Sequence, residues 1–68
     1  MVTLYINGEN MTVPATIQTI SELIDHLELK SPFVIVEHNQ VILKNDQHEN
    51  TTISNGDKVE LVQFVGGG

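Results

Sequence analysis

The chain of 68 residues has the length of one small domain, which leaves no room for a catalytic cleft between domains. The chain has nine acidic residues, three lysines and no arginine, so its formal net charge is −6. Nucleic acid is therefore a poor partner, because binding its phosphates requires clustered basic residues. The lack of cysteine excludes disulfides, persulfides and thiolate nucleophiles. We therefore expect a soluble, cytoplasmic, non-enzymatic domain, monomeric when free, that binds basic proteins and no membrane.

The first predicted element is a β-hairpin. Residues 2–6 alternate apolar and polar side chains, and Asn7 and Gly8 tolerate the positive φ angles of a two-residue type I′ turn. Because Pro14 has no N–H, we expect the second strand to end beside it. The predicted pairs, which place the apolar residues on one face, are Ile6 with Glu9, Leu4 with Met11 and Val2 with Val13.

A helix is predicted to begin at Thr19. Thr19 and Glu22 have the spacing of a capping box, in which each side chain accepts a hydrogen bond from a backbone N–H of the first turn. We expect Pro32 to end the helix, because the residue before a proline is disfavoured in the α conformation. Apolar residues recur at helical spacing and predict one buried stripe, formed by Ile20, Leu23, Ile24 and Leu27.

Three more strands are predicted after the helix. Two short apolar runs, residues 33–36 and 41–43, flank the polar residues 37–40 and indicate a second hairpin. Residues 44–52 are polar and are predicted to form a loop. A turn at Asn55-Gly56-Asp57 then leads into the longest predicted strand, residues 58–65.

This order of elements predicts an α+β roll, a mixed sheet of four to five strands covered on one face by one helix. In the last strand the side chains of Val59 and Leu61 share one face of the sheet, whereas those of Val62 and Phe64 are expected on the other face. We expect Val62 and Phe64 to form an apolar anchor for a partner on the uncovered face. The rival interpretation is that Phe64 belongs to the core.

The titratable residues do not indicate a catalytic or metal site. His26, His38 and His48 are separated by 12 and 10 residues, which matches no compact metal-ligand motif. The acidic residues along the helix are better explained as a solvated face than as an acid–base pair. We predict no catalytic residue and no metal.

The sequence finishes with Gly66, Gly67 and Gly68. Glycine averages about 7% of residues, so three in succession at a fixed place arise by chance only about 0.03% of the time. Residues without a Cβ can be threaded through a narrow channel, where a partner could activate the Gly68 carboxylate as an acyl donor. We therefore predict a folded domain, residues 1–65, and a flexible glycine tail, residues 66–68.

The whole chain resembles the β-grasp, ubiquitin-like sulfur carriers, and among them the ThiS family of thiamine biosynthesis. The resemblance is carried by four segments: the short opening from Leu4 to Gly8, which ends in Asn-Gly, then Thr19-Ile20-Ser21-Glu22-Leu23-Ile24, residues 55–61 and the final Gly67-Gly68. Position 66 is often alanine in the family and is glycine here, which only loosens the tail.

The resemblance implies that this protein is a sulfur carrier. An E1-like, ThiF-type adenylyltransferase would adenylate Gly68. The same enzyme would recognise Gly66 and Gly67 as a narrow tail without side chains. Sulfur from a cysteine desulfurase would then give a thiocarboxylate that donates sulfur to a ThiG-type thiazole synthase. ATP and Mg²⁺ would belong to the activating partner, and this chain would bind no cofactor, since its sequence has no Gly-rich phosphate-binding loop.

Three alternatives stay open. A molybdopterin-synthase small subunit would use the same fold and a thiocarboxylate. A ubiquitin-like modifier would use the two glycines to form an isopeptide with a lysine. A plain β-grasp binding module would carry the glycines by accident.

Overall fold

A computed structural model describes residues 1–29 and 33–63. The elements in chain order are β1 (Val2–Ile6), β2 (Glu9–Val13), α1 (Ile20–His26), β3 (Val34–His38), β4 (Val41–Leu43), a short 3₁₀ helix (Asn45–Gln47) and β5 (Lys58–Gln63). Within these described residues, no helix has the length and apolar character that crossing a bilayer requires. The predicted tail, residues 66–68, and the predicted strand residues 64–65 lie outside the described residues.

The strands form one mixed sheet in the order β2-β1-β5-β3-β4. β5 lies in the middle, parallel to β1 and antiparallel to β3. The two outer strands, β2 and β4, are each joined to an inner strand as a hairpin. The last strand of the described chain is therefore the central strand of the sheet.

The first hairpin has the predicted register, with Leu4 opposite Met11. Its turn residues have φ angles of +50° at Asn7 and +82° at Gly8, as a type I′ turn requires. β2 ends at Val13, next to Pro14. This part of the prediction is confirmed.

α1 begins as predicted but ends earlier. The capping box is present: Thr19 Oγ1 accepts a hydrogen bond from the Glu22 N–H at 3.2 Å, and the Glu22 carboxylate accepts one from the Thr19 N–H at 3.1 Å. The predicted end at Pro32 is wrong, since α1 ends at His26, and Pro32 itself lies outside the described residues.

The end of α1 is set by a Schellman motif. Glu28 has a left-handed φ of +57°. The Glu28 N–H donates to the Asp25 carbonyl at 3.1 Å, and the Leu29 N–H donates to the Ile24 carbonyl at 3.4 Å. These two bonds satisfy the last helical carbonyls and turn the chain away before the proline is reached.

The core lies between α1 and one face of the sheet. Ile20 and Leu23 of the predicted helical stripe are fully buried, and Ile24 and Leu27 pack partly buried against the same cluster. The buried residues are Leu4, Ile6, Val13, Ile20, Leu23, Val36, Ile53, Val59 and Leu61. One helix covering one face of a mixed five-stranded sheet confirms the predicted α+β architecture.

The second hairpin exists, but its turn is shorter than predicted. Only Asn39 and Gln40 form the turn, with φ angles of +48° and +71°. Glu37 and His38, which were predicted to lie in the connection, belong to β3. A polar residue is tolerated at position 37 because its side chain lies on the uncovered face of the sheet, and His38 finds a polar partner in Asp57.

The segment between β4 and β5 is mostly loop, as predicted. It contains the 3₁₀ helix and one isolated bridge between Thr52 and Thr19. The predicted turn before β5 is also present, with φ +88° at Gly56. β5 begins at Lys58 as expected.

Candidate functional site: the open face and the last strand

The structure describes one of the predicted site residues, Val62. Phe64, Gly66, Gly67 and Gly68 lie outside the described residues. The Val62 side chain lies on the sheet face opposite α1 and is 51% exposed, whereas Leu61 beside it is buried. This is the exposure that a docking residue requires, and the docking role itself stays a prediction.

We refer to the sheet face opposite α1 as the open face. Strand alternation and the pairing register place Ile35 directly opposite Val62 on this face. The exposed apolar side chains that the described strands place there are Tyr5, Ile35, Ile42 and Val62. A group of exposed apolar side chains on a small domain is typical of a surface that contacts another molecule.

The open face also carries two carboxylates in direct register. Glu37 of β3 lies opposite Glu60 of β5, next to the pair formed by Ile35 and Val62. Both glutamates are partly buried. Directly opposed residues in an antiparallel pair have Cβ atoms about 4.5–5.5 Å apart, so the two glutamate side chains extend from neighbouring positions on this face.

Asn7 holds β5 from the β1 side. Its backbone N–H donates to the Val59 carbonyl at 3.0 Å. Its side-chain carbonyl oxygen accepts from the Leu61 N–H at 2.8 Å, and its Nδ2 donates to the Leu61 carbonyl at 3.2 Å. The amide thus continues the ladder between β1 and β5 beyond the point where β1 turns away.

Asn39 holds β5 from the β3 side in a related way. Its backbone N–H donates to the Lys58 carbonyl at 2.8 Å, and its side-chain oxygen accepts from the Lys58 N–H at 2.9 Å. Both asparagines occupy the first position of a turn with two positive φ angles. Together they anchor β5 from Lys58 to Leu61, close to the predicted docking residue.

A partly buried polar cluster anchors the turn that precedes β5. His38 Nε2 lies 2.7 Å from the Asp57 carboxylate, which also accepts hydrogen bonds from the Ser54 N–H at 2.8 Å and Asn39 Nδ2 at 3.2 Å. Burial by itself raises the pKa of Asp57, but these hydrogen bonds outweigh it and hold that pKa below its ordinary value of 3.8. The cluster stabilises the start of the central strand.

The three histidines do not converge on a common site. His38 is engaged with Asp57, while His26 lies at the end of α1 and His48 follows the 3₁₀ helix. Among residues 1–29 and 33–63, no three His, Asp or Glu side chains are close enough together to hold a metal ion.

Three features of this site were missed by the sequence analysis. Asn7 and Asn39 were recognised as turn residues, but a turn pattern carries no signal that the side chain also pairs with a distant strand. The Glu37–Glu60 pair depends on the register between β3 and β5, for which the sequence has no local signal.

The architecture is that of a small β-grasp domain. It matches the crystal structure of the thiamine biosynthesis protein ThiS from Geobacter metallireducens with a TM-score of 0.83 and 33% identity, over 98% of this chain and 100% of that chain. Residues 3–68 match the model of the ThiS family. The chain therefore belongs to the ThiS family of sulfur carrier proteins of thiamine biosynthesis.

Two sequence relatives support this assignment. The sulfur carrier protein ThiS of Bacillus subtilis is 32% identical over 65 residues, which cover 96% of this chain and 98% of that protein. A thiazole synthase of Paramagnetospirillum magneticum is 37% identical over 65 residues, which cover 96% of this chain but 20% of that protein. This chain is therefore similar to one part of a longer protein that is named for the synthase.

Proposed function

We propose that this protein carries sulfur to thiazole formation as a thiocarboxylate on Gly68. The observation that carries the proposal is the family match, which extends over residues 3–68 and so includes the three glycines. The sequence contains no cysteine, so sulfur cannot be held as a persulfide on this chain. The Gly68 carboxylate is the remaining group suited to carry it.

The proposed chemistry begins with activation of this carboxylate, because a free carboxylate resists attack by nucleophiles. A ThiF-type adenylyltransferase, which binds ATP and Mg²⁺, joins a Gly68 oxygen to the α-phosphorus of ATP and releases pyrophosphate. The outer sulfur of a persulfide loaded by a cysteine desulfurase then attacks the Gly68 carbonyl carbon and displaces AMP, so that a C–S bond replaces the C–O bond to the adenylate and an acyl disulfide forms. A thiol of the partner proteins reduces its S–S bond, which releases the thiocarboxylate and leaves a disulfide on the partner side. In this scheme the chain is a protein substrate and supplies no catalytic residue.

We propose a ThiG-type thiazole synthase as the acceptor of the sulfur. The thiazole synthase of Paramagnetospirillum magneticum includes a segment similar to almost all of this chain. When two partners are joined in one polypeptide, each has a high effective concentration at the other. Such a fusion favours delivery of sulfur from a carrier segment to the synthase, which supports a synthase of this type as the acceptor.

The open face supplies the proposed docking surface. Val62 is exposed on the central strand, and β5 is held on both sides by Asn7 and Asn39. We propose that Val62 and Phe64 anchor the partner while Gly66 and Gly67 enter a channel too narrow for side chains. A rigid β5 would present the anchor and the tail in a constant geometry.

Intact mass spectrometry tests the carrier role. Incubated with the adenylyltransferase, ATP and a sulfur source, the protein should gain the mass of one oxygen-to-sulfur exchange, confined to the peptide that contains Gly68. A lysine-linked adduct would instead support a ubiquitin-like modifier. No mass change with an enzyme that is demonstrably active on another carrier would contradict the proposal.

A further inference from the structure

The direction of the backbone groups in β1 determines which groups of β2 point out of the sheet. The Thr3 N–H donates to Asn55 Oδ1 at 2.8 Å, and the Tyr5 N–H donates to the Asp57 carbonyl at 2.9 Å. Both bonds lie on the β5 side of β1. Since the backbone groups of a strand alternate in direction, Leu4 between them faces β2.

The outer edge of β2 therefore carries two residues whose backbone groups point away from the sheet. Met11 lies opposite Leu4 and faces β1, so the neighbouring Asn10 and Thr12 face outward. Both are exposed, and no hydrogen bond joins their backbone to another residue of ranges 1–29 and 33–63. An edge of this kind is a template for pairing with a further strand.

The opposite edge of the sheet is less open. β4 has three residues, and the backbone of the next residue is occupied by the 3₁₀ helix. The Lys44 N–H donates to Gln47 Oε1 at 2.8 Å, and the Lys44 carbonyl accepts from the Gln47 N–H at 2.9 Å. A short edge strand closed in this way is protected against pairing, whereas β2 has five residues and no such closure in the described structure.

We propose that β2 pairs with β2 of a second copy of this chain, antiparallel and about a two-fold axis at Met11. In this register Asn10 of each copy lies opposite Thr12 of the other, and each such pair exchanges two N–H···O bonds. All the outward backbone groups of both residues are then satisfied. A register shifted by two residues places Asn10 opposite Pro14, which has no N–H, or Thr12 opposite Gly8 of the turn.

The pairing brings no like charges together at the contact. The charged residue of β2 is Glu9, which lies opposite Val13 of the second copy in this register. The two Glu9 positions are thus four residues apart along the paired strands, about 14 Å, which exceeds the Debye length of about 8 Å at physiological ionic strength. The net charge of −6 on each copy opposes association at low salt, so added salt should strengthen the dimer.

The dimer joins two five-stranded sheets into one continuous sheet. Asn10 and Thr12 lie opposite Tyr5 and Thr3, so all four share the open face, and the open faces of the two copies lie on the same side. A contact between two strands is small, so the dimer is expected at high concentration and the monomer in dilute solution. The contact does not involve Gly68, so the inference goes beyond the proposed function and does not depend on it.

Sedimentation equilibrium and amide hydrogen exchange test the pairing in the wild type. Between about 10 μM and about 1 mM, the mean mass should rise above the monomer mass of 7.5 kDa, and more so at high salt. Over the same range the N–H groups of Asn10 and Thr12 should exchange more slowly. The Met11 N–H is the internal control, because it faces β1 in the monomer already.

Three variants test the register. N10K/T12E keeps the net charge and places a lysine opposite a glutamate at both pairs of the dimer. N10K/T12K raises the net charge by two and places lysine opposite lysine. The matched control, N45K/N50K, raises the net charge by the same amount at two exposed positions outside the sheet. Thermal denaturation of each variant verifies that the monomer is folded.

We expect N10K/T12E to dimerise about threefold to tenfold more tightly than the wild type, since opposite charges stabilise directly opposed pairs. N45K/N50K should dimerise at least as tightly as the wild type, because it lowers the overall repulsion. N10K/T12K should dimerise about tenfold or more weakly than N45K/N50K, although the two have the same net charge.

Three results would refute the pairing. The first is a wild type and an N10K/T12E variant that are both folded and monomeric at about 1 mM in high salt. The second is a dimer of N10K/T12K as tight as that of N45K/N50K, which would place the contact on another surface. The third is slower exchange at Asn10 and Thr12 only when the adenylyltransferase is added, which would assign this edge to a strand of the enzyme.

Discussion

Replacing Asn7 with glycine is expected to lower the free energy of unfolding by about 2 kcal/mol. Glycine readily adopts the φ of +50° found at this position, so the turn between β1 and β2 remains available. The substitution therefore removes mainly the side-chain amide. The bonds lost are those to the Leu61 N–H at 2.8 Å and to the Leu61 carbonyl at 3.2 Å.

The magnitude follows from the position of these two bonds. A hydrogen bond contributes about 0.5–1.5 kcal/mol net, and a partly buried donor left without a partner costs about 1–3 kcal/mol. Leu61 is a buried residue of the central strand, so water reaches its backbone poorly. In a domain of this size each kcal/mol corresponds to about 4–8 °C, which predicts a fall in melting temperature of about 8–16 °C.

Thermal denaturation followed by circular dichroism measures this effect. Asn50→Gly is the control, because Asn50 is exposed in a loop and the described structure shows no hydrogen bond from its side chain. Amide hydrogen exchange adds a local measurement, since the Leu61 N–H should exchange faster in Asn7→Gly. If Asn7→Gly is no less stable than Asn50→Gly and Leu61 exchange is unchanged, the Asn7 amide does not hold β5.

Three further predictions concern strained turns and pH. Glu28→Gly should raise the free energy of unfolding by about 1 kcal/mol in a denaturant titration, because glycine relieves the left-handed φ of +57° that ends α1. Gln40→Gly should raise it by a similar amount, about 1 kcal/mol in the same assay, by relieving the φ of +71° in the turn between β3 and β4. The pKa of Asp57 is lowered on folding, so its contribution to stability is present above its ordinary value of 3.8 and is lost as the pH falls through the lowered pKa. Asp57→Asn should accordingly lose less stability than the wild type between pH 4 and about 2, as measured by denaturant titrations at several pH values.

Each of these predictions has a control. Glu28→Gln removes the charge but keeps the strained φ, so an equal gain in this variant would attribute the effect to charge. An unchanged stability of Gln40→Gly would show that glutamine is not strained in the turn. Asp46→Asn alters an exposed carboxylate of the 3₁₀ helix, and a pH dependence of Asp57→Asn identical to that of Asp46→Asn would contradict the role of the His38 contact.

The sequence alone was sufficient for the features that depend on neighbouring residues. The first hairpin was predicted with its register because Asn7-Gly8 determines a two-residue turn, and strand alternation then determines which residues are opposite. The start of α1 was predicted because a capping box involves residues only three positions apart. The class of fold followed from the order of these elements and from the single apolar stripe of the helix.

Tertiary structure decided the features that depend on residues distant in sequence. The Asn7 side chain pairs with Leu61, 54 residues away, because β1 and β5 are neighbours in the sheet. The opposition of Glu37 and Glu60 likewise requires the register between β3 and β5. Glu28 and Gln40 adopt left-handed φ angles that their side chains disfavour, so residue preference did not predict that α1 ends before Glu28 or that the turn after β3 has only two residues.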